Sequence, residues 1–206
     1  MDLSKLFSIN PVYNTSKSKD SKLCGVNSKY NPSKWEQNKY IKDSHNCYAY
    51  ALNDIDEDRV KKCKQLLTTE NKTTCLPLRP SPGRYSNYKM KGKMEGKKYT
   101  CKGLEKNIIA DNKYIYRPKK NEDCKSCYYK IAYAVDPGKS FHFYRQNHDK
   151  TWSHKEGGLH VKTKDASNNI ITDPKTADRK YSYANFSQFC GYLCVPENNY
   201  KKTYSK

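Results

Sequence analysis

His45-Asn46-Cys47-Tyr48-Ala49-Tyr50-Ala51-Leu52 is the stretch on which the reading of this chain turns. Cys47, Tyr48, Ala51, Leu52 and Ile55 recur at helical spacing and form one apolar face, with Asp43 or Ser44 placed to cap it. A cysteine opens this helix. A thiol there lies beside unpaired backbone N–H groups and the positive end of the helix dipole, and both favour thiolate. A thiolate becomes a useful nucleophile when a base shares its proton and a third group orients the base. The histidines therefore matter next.

Phe141–Gln146 reads as a strand, Asn147-His148-Asp149-Lys150 as a turn, and Thr151–Lys155 as the returning strand. His142 and His154 are equally far from a turn centred on His148, so equal parity puts both rings on one sheet face. If that face meets the start of the helix, Cys47 is the nucleophile, His142 its base and His154 the residue that orients the base. Asp173, in Ile170-Ile171-Thr172-Asp173-Pro174, competes with His154 for the third position. The backbone N–H of Cys47 is the simplest oxyanion donor.

Working outward, Leu104–Ile109 suits a helix and Tyr128–Val135 a strand closed by Asp136-Pro137-Gly138. Leu159–Thr163 and Asn169–Thr172 flank a further turn, and aromatic residues within 182–196 suit a terminal element that closes the core. The expected class is α+β. Residues 1–40 form a polar arm anchored through Tyr30, Trp35 and Tyr40. Residues 41–196 form the domain, with a cysteine-containing insertion at about 86–139, and 197–206 are a basic tail.

The chain carries 40 basic against 21 acidic residues, a net charge of +19, which exceeds what solubility needs. Such an excess favours an anionic environment: nucleic acid, an acidic glycan, an anionic membrane face or an acidic protein. The lysines are spread along the chain without a recognisable nucleic-acid module. Lys89-Met90-Lys91-Gly92-Lys93-Met94 is the best local patch. With 35% apolar residues and 19 tyrosines, aromatic rings must supply much of the core or an extensive interface.

There are nine cysteines, so one stays unpaired if the others form intrachain disulfides, and Cys47 is the candidate. Cys124-x2-Cys127 and Cys190-x3-Cys194 have the general form of a four-thiolate zinc site. The same pairs serve equally as disulfide partners or free thiols. Cys24, Cys63, Cys75 and Cys101 have no spacing that selects a role. Met1-Asp2-Leu3-Ser4-Lys5 lacks an apolar signal core and no run is long enough to span a bilayer, so neither classical secretion nor a transmembrane segment is expected.

Three segments carry a resemblance: Asn46–Leu52 with its cysteine, the turn Ser81-Pro82-Gly83-Arg84-Tyr85, and His142 followed by His154 in the next strand. In this order they resemble the NlpC/P60 group of papain-like cysteine peptidases. The resemblance implies a papain-like α+β fold, with an N-terminal nucleophile helix packed against a small antiparallel sheet. It implies Cys47, His142 and His154 as the catalytic set, and hydrolysis of a peptide, peptidoglycan-like or other amide bond. It implies no cofactor; structural zinc stays open only through Cys124, Cys127, Cys190 and Cys194. The cysteine-, lysine- and asparagine-rich style also resembles proteins of large DNA viruses, which implies host cytoplasm or virion as the location. A thiol hydrolase is therefore the leading expectation. The alternatives are a structural virion protein on an inactive hydrolase fold, partnered by an acidic protein or another virion component, and a basic nucleic-acid-binding protein.

Overall fold

A computed structural model describes residues 29–86, 99–119 and 122–197. Most of the polar arm, Cys24, the Lys89–Met94 patch and nearly all of the basic tail lie outside the described residues. The order is α1 (Ser33–Glu36), α2 (Lys39–Ser44), α3 (Cys47–Ala51), α4 (Glu57–Thr68), a 3-10 turn (Leu76–Leu78) and α5 (Cys101–Asp111). Seven strands follow: β1 (Tyr128–Asp136), β2 (Ser140–Gln146), β3 (Trp152–Lys155), β4 (Val161–Lys162), β5 (Lys180–Tyr181), β6 (Ala184–Asn185) and β7 (Gln188–Pro196). The architecture is α+β with a small antiparallel sheet, ordered β4-β3-β2-β1-β7, beside the two-stranded β5-β6 ribbon.

The central helix is shorter than its apolar spacing predicts. Asn46 caps it, its side-chain oxygen accepting from Ala49 N–H at 3.3 Å. Asp43 does not cap it, because its carboxylate accepts the N–H of Cys75 at 2.6 Å instead. The helix stops after Ala51 because Asn53 turns left-handed at φ 50°. Asn53 N–H then bonds to Tyr50 O at 3.0 Å and Asp54 N–H to Ala49 O at 2.9 Å, which satisfies the terminal carbonyls. Asp56 starts a separate helix, α4, by accepting Arg59 N–H at 3.0 Å.

Strand alternation sorts the side chains into two layers. Tyr129, Ile131, Tyr133 and Val135 of β1 face the helices, with Phe143 of β2 and Leu193 and Val195 of β7. Cys47, Tyr48, Ala51, Leu52, Leu104 and Ile108 cover them. Ala132, Tyr144 and Trp152 face the other way and are covered by Ile171, with Phe189 and Tyr192 alongside. Tyr48, Tyr50, Tyr133 and Tyr144 are fully buried, as the aromatic-rich composition requires. Trp35 anchors the start of the described chain, packing edge-on against Tyr50 with ring centroids 5.1 Å apart.

One carboxylate joins the helical layer to the Pro82-Gly83 turn. Asp111, at the end of α5, accepts from Tyr48 Oη (2.7 Å), Gly83 N–H (2.7 Å) and Ser86 N–H (2.9 Å). Gly83 sits at φ 95°, a conformation that side chains rarely adopt. The Pro-Gly segment is thus a structural bracket for α3.

Candidate functional site

Cys47 opens α3, is buried, and is the one free cysteine among the described residues. Burial pushes its thiol up to about 12, against the opposing pull of backbone hydrogen bonds at Phe143, Tyr48 and Cys47 and of the nearby Lys155. At neutral pH the group is a protonated, desolvated thiol. The helix it opens has only five residues, so its dipole does little to change this.

The structure brings His142 and His154 together, as equal parity predicts, with Nε2 of His142 2.8 Å from Nδ1 of His154. Their tautomers follow from the neighbours. Nε2 of His154 lies 2.9 Å from the carbonyl of Lys164, which only accepts, so it carries the proton. Nδ1 of His154 is then the acceptor, and Nε2–H of His142 donates to it. Phe186 stacks on the His142 ring at 5.1 Å and Tyr144 meets it edge-on at 4.9 Å.

This pair lies on the wrong face for catalysis at Cys47. Tyr144 pairs directly with His154 across β2 and β3 and turns away from the helices. The intervening positions face α3. Phe143 packs on the Tyr48 ring at 4.9 Å, and Ser153 shares a 2.7 Å hydrogen bond with Tyr50 Oη. The sheet therefore separates the two imidazoles from Cys47. Asp173, the competing third residue, accepts a hydrogen bond from Tyr192 Oη and from the N–H of Lys175. It too belongs to the layer away from the helices.

A third histidine, His45, is fully buried between α2 and α3. Its Nε2 accepts the N–H of Asp56 at 3.0 Å, so Nδ1 holds the proton and faces Ile41 O at 3.1 Å and Ser44 Oγ at 2.9 Å. Burial, followed by the charge of Arg59, pulls its pKa down to about 4. Burial also holds His142 well below the usual histidine range and lowers His154. All three are therefore neutral at pH 7. In the unfolded chain they take up protons near pH 6.5, so the stability their neutrality provides is complete above that pH and is lost as pH falls toward the folded values. For His45 alone, the loss by pH 4 is about 3 kcal/mol. Thermal melts at pH 7, 6 and 5 should show a steadily falling Tm; an unchanged Tm across that range would contradict three neutral buried histidines.

Sequence reasoning passed over Lys155, although Trp152-Ser153-His154-Lys155 signalled it: parity puts Lys155 on the Ser153 face, toward the helices. The residue is fully buried, and Nζ donates to the carbonyls of Lys42, His45 and Gly157, each at 2.6 Å. Burial first, then the nearby Arg79, lowers its pKa to about 7. It joins the end of α2, the start of α3 and the loop after β3. Arg145 has a similar role further along, with its guanidinium 4.2 Å from the Tyr50 ring and Nη2 donating to Tyr50 Oη at 3.1 Å.

The other described cysteines are oxidised. Cys63 is bonded to Cys75, Cys101 to Cys190 and Cys124 to Cys194, and Cys127 is disulfide-bonded as well. The four-thiolate zinc site is thereby corrected: Cys190 and Cys194 are bonded to separate partners, and no thiolate set remains at Cys124 and Cys127. One further cluster has metal-ligating residue types, with the donor atoms of Asp43, Cys63 and Cys75 within 4.8 Å of one another. Its two sulfurs are bonded to each other, and Asp43 is held by Cys75 N–H and by the Arg79 guanidinium. No helix among the described residues is long and apolar enough to cross a membrane.

No family model matches the chain. No solved structure matches it either. A curated relative does: insoluble matrix shell protein 1 of Ruditapes philippinarum is 30% identical over 156 residues, covering 75% of this chain and 82% of the relative. These findings overturn the NlpC/P60 resemblance and the thiol hydrolase it implied. The nucleophile candidate is a protonated buried thiol, its partners lie across the sheet, and the relative is named as an insoluble matrix shell protein. By sequence, the chain belongs to the family of insoluble matrix shell protein 1.

Proposed function

We propose that this protein is a structural component of an insoluble matrix, held there by its covalently braced fold and its cationic surface. The observation that carries the reading is the disulfide set, since every described cysteine except Cys47 is oxidised. Such a set belongs to an oxidising setting, outside the reducing cytosol. The relative's name supplies the class, an insoluble matrix protein. The net charge of +19 supplies the partner's sign: such a surface is retained by acidic polymers. Of the two alternatives to catalysis, the structural role is the better supported. A nucleic-acid role does not draw on the oxidised cysteines.

Successive extraction of the source material tests this reading. The protein should stay in the insoluble residue through low-salt buffer and chelator, and leave it in high salt or denaturant, which screen its charge or unfold it. Recovery in the first low-salt extract would overturn it.

A further inference from the structure

The sheet face away from the helices carries a continuous groove. Lys130 of β1, Gln146 of β2 and Trp152 of β3 form a row across it, fixed by the pairing of Gln146 with Trp152 and of Ile131 with Arg145. Two clefts, of about 700 and 430 Å³, adjoin along this row and share Lys130 and Gln146. The larger is bordered by Arg117, Lys119, Lys130 and Lys175, against Glu122 and Asp173. Its floor is aromatic: Tyr192 lies 5.9 Å from Trp152 and 5.2 Å from Phe189, ring centre to ring centre. Tyr192 and Phe189 are half-buried, so part of each ring faces the groove. Gly191 keeps the rim open to arginine, because a Cβ there would come within 2.4 Å of Arg117 Nη1.

We infer that this groove binds an extended anionic polysaccharide, one bearing carboxylate or sulfate groups at intervals along a chain of pyranose rings. Four cations around a floor of rings, two of them already paired (Arg117 with Glu105, Lys130 with Asp123) and two exposed (Lys119 and Lys175), suit a ligand that combines spaced charge with flat C–H faces. Two rim carboxylates among them suit hydroxyl groups and a spaced charge. They disfavour a nucleic acid strand, whose phosphates recur at every nucleotide. An acidic peptide satisfies the cations but leaves the ring floor without a matching face. The inference deepens the matrix reading by naming a partner class. The binding test needs no matrix, so the two fail separately.

The oxidised full-length protein is titrated with hyaluronan and dextran sulfate, and in parallel with neutral dextran, poly-aspartate and a single-stranded oligonucleotide. Two triple variants lose the same charge: Lys119→Gln, Lys130→Gln, Lys175→Gln in the groove, and Lys62→Gln, Lys64→Gln, Lys72→Gln on and after α4, where all three are exposed. The groove triple should weaken polysaccharide binding at least ~10-fold and the α4 triple less than ~2-fold. Tyr192→Leu, which removes the ring and the hydroxyl bonded to Asp173, should weaken it several-fold while circular dichroism shows the fold retained at the assay temperature. Equal weakening by both triples would overturn the groove in favour of diffuse attraction. Tighter binding of the oligonucleotide or of poly-aspartate would overturn the polysaccharide. Failure of this test leaves the extraction result untouched, and recovery in low-salt buffer would not alter a measured groove.

Discussion

Removing either of the two long-range disulfides should cost about 4–5 kcal/mol of stability, because each closes a loop of many residues in the unfolded chain. Cys101–Cys190 spans 89 residues and Cys124–Cys194 spans 70, whereas Cys63–Cys75 spans only 12 and should contribute about 3 kcal/mol. The two long bridges converge on β7. One ties that strand to the start of α5, and the other ties it to the segment entering β1. A domain of this kind has about 5–15 kcal/mol in total, so full reduction should leave it largely unfolded. Urea unfolding of Cys101→Ser/Cys190→Ser and of Cys124→Ser/Cys194→Ser measures the two losses separately. A loss below ~1 kcal/mol for either pair would contradict the chain-closure account. The two effects should not add fully, because the loops overlap and share β7.

Much of the architecture was legible because the side-chain periods are simple. The hairpin around His148 and the strand at Tyr128 follow from β-branched and aromatic runs broken by turn residues, and β1, β2 and β3 form there. The helix at Leu104 was legible too, although it begins earlier, at Cys101, where Thr100 caps it by accepting Gly103 N–H. Helix ends were harder, since a side chain that caps in one context makes a tertiary bond in another. Asp43 was drawn to Cys75 N–H and Arg79, and Asn46 took the cap. The three described disulfides with named partners were not legible, because pairing depends on which segments meet in space.

The candidate site failed on one geometric condition that spacing does not contain. Parity shows that His142 and His154 share a face, and they do. It does not show which face the helix covers. Both faces carry large side chains, Ile131, Val135 and Phe143 on one and Tyr144 and Trp152 on the other; the helices pack on the first, leaving the imidazoles behind the sheet. The resemblance rested on motifs in the right order, and order survives a change of face. The same alternation that removed the histidines from Cys47 put Lys155 beside it.

Lys155→Met should be among the most damaging substitutions outside the disulfides, at roughly 3–5 kcal/mol. Methionine retains most of the stem and volume, so the loss isolates the amine and its hydrogen bonds. The carbonyls of Lys42, His45 and Gly157 would then lie buried without their donor, and two of them belong to the end of α2, where the helix leaves its carbonyls unpaired. Each unmet carbonyl costs about 1–3 kcal/mol. An exposed control, Lys62→Met, should stay within about 0.5 kcal/mol of the parent. The pH dependence gives a second readout. Burial lowers Lys155 to about 7 from its ordinary 10.5, so the unfolded chain holds its proton at pH values where the folded one has released it. Stability from this group therefore rises as pH goes from 7 toward 10 and is lost on the way back down. The variant lacks that gain, so its deficit against the parent should widen with pH over the same range. Chemical denaturation of both proteins at neutral and alkaline pH measures it. A deficit that is small at pH 7 and constant to pH 10 would show that Lys155 neither holds the three segments together nor titrates in the fold.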